Sequence, residues 1–315
     1  MSQTDNMINP MKTEDYTLYK VGSLWKCIPR DIDNPRFTGL VPETLLQGAV
    51  DELLTVGGVF QINDSITELK TTVTVADVSA ADHIWEFRGR DYRLTRITAH
   101  ADLGATPMFE VDRGVASWAD QDATMIRLRD IYLNPNNIAS TTVYAPWCLG
   151  EFRGHVYIYR RVDGTNVVGR IGGSGGPGRI CHWDGLTVHY VGGAENVTAI
   201  DCWFDRLRIE GLEMNLNGSS SSCRGLYMNG EYLSIGHVGA YVSPASTVSA
   251  LVDLAGVYAS IGQIALNDGA ATVSLVKCNA SAYCSVGQAR YSGSNVLWAD
   301  AQTATNSVCM QDLNI

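Results

Sequence analysis

The sequence predicts an all-β solenoid, a parallel β-helix entered through one N-terminal helix, and three observations carry that expectation. Tyr232-Leu-Ser-Ile-Gly-His237 recurs as Tyr258-Ala-Ser-Ile-Gly-Gln263 and as Tyr283-Cys-Ser-Val-Gly-Gln288, at offsets of 26 and 25 residues. A looser aliphatic-x-β-branched core extends the series upstream through Ile131-x-Leu133, Val156-x-Ile158, Leu186-x-Val188 and Leu207-x-Ile209, and downstream to Leu313-Asn-Ile315. The segments between are short β-prone runs, among them Ser249-Ala-Leu-Val-Asp-Leu254, Thr272-Val-Ser-Leu-Val276 and Asn295-Val-Leu-Trp298. Successive offsets from Ile131 are 25, 30, 21, 26, 26, 25 and 29 residues, too short for a propeller blade of about 40 and without room for a helix. Two or three short strands plus turns in each interval describe one coil of a parallel β-helix, with equivalent residues stacked about 4.8 Å apart.

Period-two alternation sorts the side chains of each repeat. Leu233, Ala259 and Cys284 with Ile235, Ile261 and Val286 form the inward set, and Tyr232, Tyr258 and Tyr283 with Ser234, Ser260 and Ser285 the outward set.

In chain order, residues 1–40 do not repeat. They mix charges with Pro10, Pro29 and Pro35 and the aromatics Tyr16, Tyr19 and Trp25, which suits an ordered arm or a local cap better than a linker. Residues 41–315 are the solenoid, and residues 42–56 its one convincing helix. Pro42 suits the first turn, Gly57 the position after the helix, and Leu46, Ala49, Val50, Leu53 and Leu54 make an apolar stripe. Gly57-Gly58-Val-Phe-Gln-Ile62, Thr71–Val75, Ile84-Trp-Glu-Phe87 and Tyr92-Arg-Leu-Thr-Arg-Ile97 then read as strands. Gly172-Gly-Ser-Gly-Gly-Pro-Gly178 has no following Lys-Ser/Thr pair and opens no helix, so it reads as a loop between coils and not as a phosphate cradle.

The helix, the double glycine and the strand after it resemble the opening of the pectate-lyase-like right-handed β-helix superfamily, the broad group that includes bacteriophage tailspikes. The resemblance covers roughly residues 42–315 and implies a right-handed coil with the helix as its cap. It is specific for fold and weak for function, since one coil carries lyases, hydrolases and non-enzymatic viral proteins.

Composition narrows the function. A net charge of −10 argues against nucleic acid, and no apolar run reaches the roughly 18 residues that a membrane span needs. The start lacks the basic and apolar regions of a secretory signal, which predicts synthesis in the cytoplasm. The eight cysteines form no C-x-x-C pair and read as reduced core residues, so neither a metal nor another cofactor is expected. From Gly211 onward there are nine charged side chains, and a surface so poor in charge suits burial against other subunits.

Polysaccharide cleavage would need paired carboxylates. Asp184, Asp205 and Glu231 occupy one place relative to their assigned strands, with Glu210 and Glu213 nearby. Trp183, Trp203 and Tyr190 could offer flat faces to sugar rings, and Arg206 and Arg208 could hold an anionic glycan. Against this, acidic residues at coil corners commonly form turns or pair with arginine, and the tryptophans could be core. The leading expectation is therefore a virion protein, tailspike-like or a capsid-surface spike, made in the host cytoplasm and facing the host's surface polysaccharide. Residues 1–40 would grip other virion proteins, and a homotrimer would meet through Tyr232, Tyr258, Tyr283 and the coil end at Ile315. A polysaccharide lyase or glycoside hydrolase is the alternative, and a capsid decoration protein without glycan contact the third.

Overall fold

A computed structural model describes residues 15–30, 35–76, 83–112, 125–136, 138, 142–145, 149–162, 166–171, 178–192, 197–217, 224–242, 247–255, 258–267, 272–278, 283–291, 296–301 and 307–314. Side chains are described for these except at 112, 149, 160–162, 166–171, 178–182, 188–192, 197, 203–205, 217, 247, 272, 296–301 and 307–314. The fold is a parallel β-helix with one α-helix, Pro42–Glu52, among the described residues.

Strands Tyr16–Val21 and Leu24–Pro29 form an antiparallel hairpin around Gly22, and Phe37–Gly39 adds a third strand. The first of these also pairs in parallel with Gly58–Ile62, so these strands extend the first rung. The helix ends at Glu52, short of the expected residue 56, and 53–56 form a turn. Its buried stripe is Leu45, Leu46, Ala49 and Val50, with Leu53 and Leu54 packed on the core margin. Gly57 has φ +73°, and a Cβ there would lie 2.6 Å from the Ile84 carbonyl oxygen, so the chain enters the first coil where only glycine fits.

The expected strand at Tyr92–Ile97 is instead a turn at 92–94 followed by a strand over Arg96–Ala99. Asp91 explains the change: its carbonyl accepts from the Leu94 and Thr95 amides, and its carboxylate accepts from the Arg93 amide at 2.7 Å.

In the C-terminal coils each rung has three faces. In one rung these are Arg224–Asn229, Tyr232–Ile235 and His237–Tyr241, all within the strand Arg224–Val242. The middle faces align Tyr232, Tyr258 and Tyr283 in one column, and Ile235, Ile261 and Val286 in another. The second column is buried and the first exposed, as the alternation predicts. Gly236, Gly262 and Gly287 turn the chain from the middle face to the third. A Cβ on Gly262 would stand 2.5 Å from the Gly236 carbonyl oxygen, and one on Gly287 2.7 Å from that of Gly262.

Two of the expected coil boundaries shift by five residues. Leu207-x-Ile209 stacks on Cys181-x-Trp183 and not on Leu186-x-Val188, which itself pairs with Leu212-x-Met214. Likewise Cys284 pairs with Val308, while Leu313 stacks on Ala289. An aliphatic-x-aliphatic pair lies on each side of the corner, so the expected offsets of 21 and 29 join one side of the corner to the other.

The core is continuous from the cap to the last coils with described side chains. Phe60 and Phe87 stack at 5.2 Å, and Trp183 packs edge-on to Phe152 while donating to the Gly150 carbonyl at 2.8 Å. Among the described residues, Cys27, Cys202, Cys278 and Cys284 are buried in it.

Two outcomes are expected. Ile261→Asp would place an unpaired charge inside the column and should cost several kcal/mol, read as a large fall in melting temperature. Burial pushes the Cys27 and Cys284 thiols up to about 12, from an ordinary value of 9.0. The folded state therefore holds protons that the unfolded chain releases, and stability should be intact below pH 9 and fall from there towards pH 12. Denaturation midpoints at pH 8 and pH 11 measure this, and replacing both cysteines by alanine should narrow the difference, the remainder coming from the buried Cys278 and Tyr16.

Candidate functional site

The middle face divides into two regions. In the early coils its outward positions carry charge: Glu86, Arg127 and Glu151 align in one column, and Arg88, Arg129 and Arg153 in the next. Arg127 bridges Glu86 at 3.1 Å and Glu151 at 2.6 Å, while Arg88 and Arg153 close on the same two carboxylates at 2.7 and 3.0 Å. The Glu86 and Glu151 side chains are only 4% and 7% exposed, so the arginines that neutralise them also cover them. This region is satisfied within itself.

In later coils the face becomes a shallow trough of about 610 Å³ running from Arg206 and Arg208 past Tyr232 and Tyr258 to Tyr283. The rings of Tyr232 and Tyr258 lie 5.8 Å apart, and those of Tyr258 and Tyr283 5.2 Å apart at an interplanar angle of 10°. The Arg206 guanidinium extends the stack 5.6 Å from the Tyr232 ring. Ser234, Ser260 and Ser285 floor the trough beside them, and Arg208 is held by Glu210 at 2.8 Å. The three tyrosines are 48%, 55% and 40% exposed, high for large side chains that follow one another on one face. The structure thus joins two sets that the sequence reading kept apart, the arginines and the tyrosine column.

The acidic trio does not come together. Asp205 and Glu231 share a corner, since Phe204 pairs with Gly230 and Arg206 with Tyr232. Asp184 lies at the next corner along the coil, level with Glu210, because Trp183 pairs with Ile209 and Gly185 with Gly211. Five strand residues separate the two corners, about 16 Å at roughly 3.3 Å per residue, beyond the spacing of a hydrolytic carboxylate pair. The Asp184 carboxylate accepts from the Gly154 amide at 3.0 Å and from Arg153 at 3.3 Å, fixing the turn at Gly154, whose φ is +61°. Glu231 is exposed, and the Asp205 side chain lies outside the described residues.

The glycan-binding set changes too. Trp183 is fully buried and presents no face to a sugar, because it fills the core beneath the corner. Arg206 and Arg208 are exposed. The side chains of Trp203 and Tyr190, and the whole of Ile315, lie outside the described residues.

A second surface was missed. On the third face the outward column runs Tyr132, Tyr157, Thr187, Glu213, Gly239 and Ala265. The column continues to Arg290, and the small residues before it open a cleft of about 550 Å³, where Glu213 meets His237 at 3.1 Å. The signal was available, since the same 26-residue register applied to outward positions reveals the missing side chains.

Among the described residues no group of three or more His, Cys, Asp or Glu side chains could hold a metal ion, and no described helix is long and apolar enough to cross a membrane. Compared with family models, curated proteins and solved structures, the chain matches none.

Arg127→Ala would remove the shared partner of Glu86 and Glu151, which keep Arg88 and Arg153, and should cost about 1–3 kcal/mol in a denaturant titration. Arg208→Ala removes an exposed pair and should change stability by less than about 1 kcal/mol.

Proposed function

We propose that this protein is a structural spike of the tailspike kind, a virion component whose solenoids associate through the tyrosine face and present their remaining surface to host glycans. One observation carries the reading: Tyr232, Tyr258 and Tyr283 are stacked, uncharged and about half exposed along one face. Aromatic side chains in a flat, charge-poor patch are what interface centres are made of. Stacking against their own neighbours already orders the rings, so docking a second copy would cost little further side-chain entropy. Closed cyclic symmetry is the usual form of self-association, and the resemblance to tailspikes favours three-fold symmetry. The N-terminal hairpin and its third strand extend the first rung at the end opposite the tyrosines, which suits that end for docking on the particle.

The enzyme reading ranks lower because Asp184 is held by Gly154 and Arg153 at another corner, which leaves of its trio only Asp205 and Glu231 together. The decoration reading has no glycan contact and differs mainly in what residues 1–40 grip.

The full chain is expected to sediment as a trimer at micromolar concentration. Tyr258→Glu should shift it to monomer while the melting temperature of the coil stays near that of the parent. A monomeric parent, or a trimer indifferent to Tyr258→Glu, would sink the proposal. Incubation with candidate surface polysaccharides is expected to release neither new reducing ends nor unsaturated uronates. Rapid cleavage abolished by Asp205→Asn or Glu231→Gln would promote the enzyme reading.

A further inference from the structure

The cleft on the third face, and not the tyrosine trough, has the chemistry of a small polar binding site. Its shape follows from the register. Tyr132 and Tyr157 stack at 4.8 Å and 9°, with the Arg96 guanidinium 4.2 Å from the Tyr132 ring, so the wall at the N-terminal side is fixed. Thr187 follows, bonded to the His155 ring at 3.1 Å. Two rungs further on, Gly239 has no side chain and Ala265 only a methyl, so the column dips before Arg290 follows. Tyr241, 46% exposed, rises beside the gap.

Glu213 stands in the middle of this depression. A Cβ on Gly239 would collide with the Glu213 carboxylate, so that glycine is what lets the carboxylate lie across the floor. One of its oxygens meets His237 Nε2 at 3.1 Å, and the side chain remains 55% exposed. Asn215 and Asn267 line the same cleft, in the column that also carries Tyr241. The polar groups thus comprise a carboxylate that only accepts, an imidazole, and two amides that each donate and accept. Phenol rings bound them, and burial raises the Tyr157 phenol above its ordinary value.

We infer that this cleft binds a neutral, polyhydroxylated chain, an uncharged oligosaccharide segment. Hydroxyl groups both donate and accept, so they can satisfy the carboxylate and the two amides together. The apolar faces of a sugar ring would rest against Tyr157 and Tyr241. The Glu213 carboxylate disfavours phosphates and uronic acids within the cleft, and the nearest cation of the same column, Arg290 beyond Ala265, is not among the residues that line it. No second carboxylate is among the described residues that line the cleft, so it holds a chain without the pair that hydrolysis needs.

This deepens the glycan contact of the spike reading by giving it a face and a charge class. It rests on that reading for the source of the ligand alone, and its test reads binding and not assembly, so either can fail without the other. The full chain is titrated by calorimetry with maltohexaose, cellohexaose, mannohexaose and hexagalacturonate. At least one neutral hexasaccharide should bind, and hexagalacturonate should bind at least tenfold more weakly. Ala265→Tyr continues the tyrosine column of positions 132 and 157 into the gap and should weaken binding tenfold or more. Glu213→Ala, at an exposed position, should do the same and serves if the tyrosine variant fails to fold, while Tyr258→Glu should leave binding unchanged. Absence of binding by every neutral chain, equal binding of hexagalacturonate, or affinity that survives both cleft variants would overturn the inference.

Discussion

Beyond the N-terminal hairpin, the described strands of successive coils hydrogen-bond in parallel, so each residue lies above its equivalent in the coil before it. Position by position, the chain meets itself. Apolar side chains gain from that arrangement, because Ile235, Ile261 and Val286 fill one column without a gap. Tyrosines gain also, since their rings can stack. Like charges about 4.8 Å apart repel and need counter-ions beside them, as the Arg88, Arg129 and Arg153 column has in Glu86 and Glu151. The outward columns show two solutions to that restriction. In the early coils, charge alternates as Glu86, Arg127, Glu151 and each ion is held by the next. In the later coils charge is replaced by Tyr and Ser.

The same constraint decides what was readable in the sequence. The three closest repeats preserve both residue type and spacing, so their inward and outward sets could be assigned from alternation alone. The corner glycines belong to that motif for a backbone reason, the close approach of one rung's carbonyl to the next rung's Cα. The looser repeats were harder because an aliphatic pair occurs on both sides of each corner. Leu207-x-Ile209 and Leu212-x-Met214 are equally good matches to Leu186-x-Val188 by composition, and only hydrogen-bond register separates them. The five-residue slip that follows carried Asp184 into the wrong column. The turn at 92–94 was misread for another reason: Asp91 offers its backbone and carboxylate to the following amides, and this local capture outweighs the β propensity of Tyr92 and Thr95.

Legibility of the surface sites differs in kind. The tyrosine column announces itself because a large residue repeats. The cleft is defined by what Gly239 and Ala265 lack, and a search for chemistry-bearing residues passes over glycine and alanine. Glu213 was noticed as one acid among several, but its partner His237 belongs to the next rung and lies 24 residues away in the chain. Trp183 shows the converse error. An aromatic residue beside an acidic corner looks like a sugar platform, yet alternation relative to Asp184 sends it inward, where its indole N–H finds the Gly150 carbonyl.

In-register stacking also changes what low charge means. If stacking alone disfavours columns of like charge, then the nine charged residues beyond Gly211 are in part a requirement of the coil and cannot by themselves argue for a partner. A coil needing only to avoid repulsion could fill its outward columns with Ser, Thr and Asn, as the serine column beside the tyrosines does. Tyrosine goes further than that requirement. It leaves 40–55% of each large ring in water, at three successive positions, on a face whose neighbouring column is small enough to admit another surface. The excess over what stacking demands, and not the scarcity of charge, is the part of this face that calls for a partner.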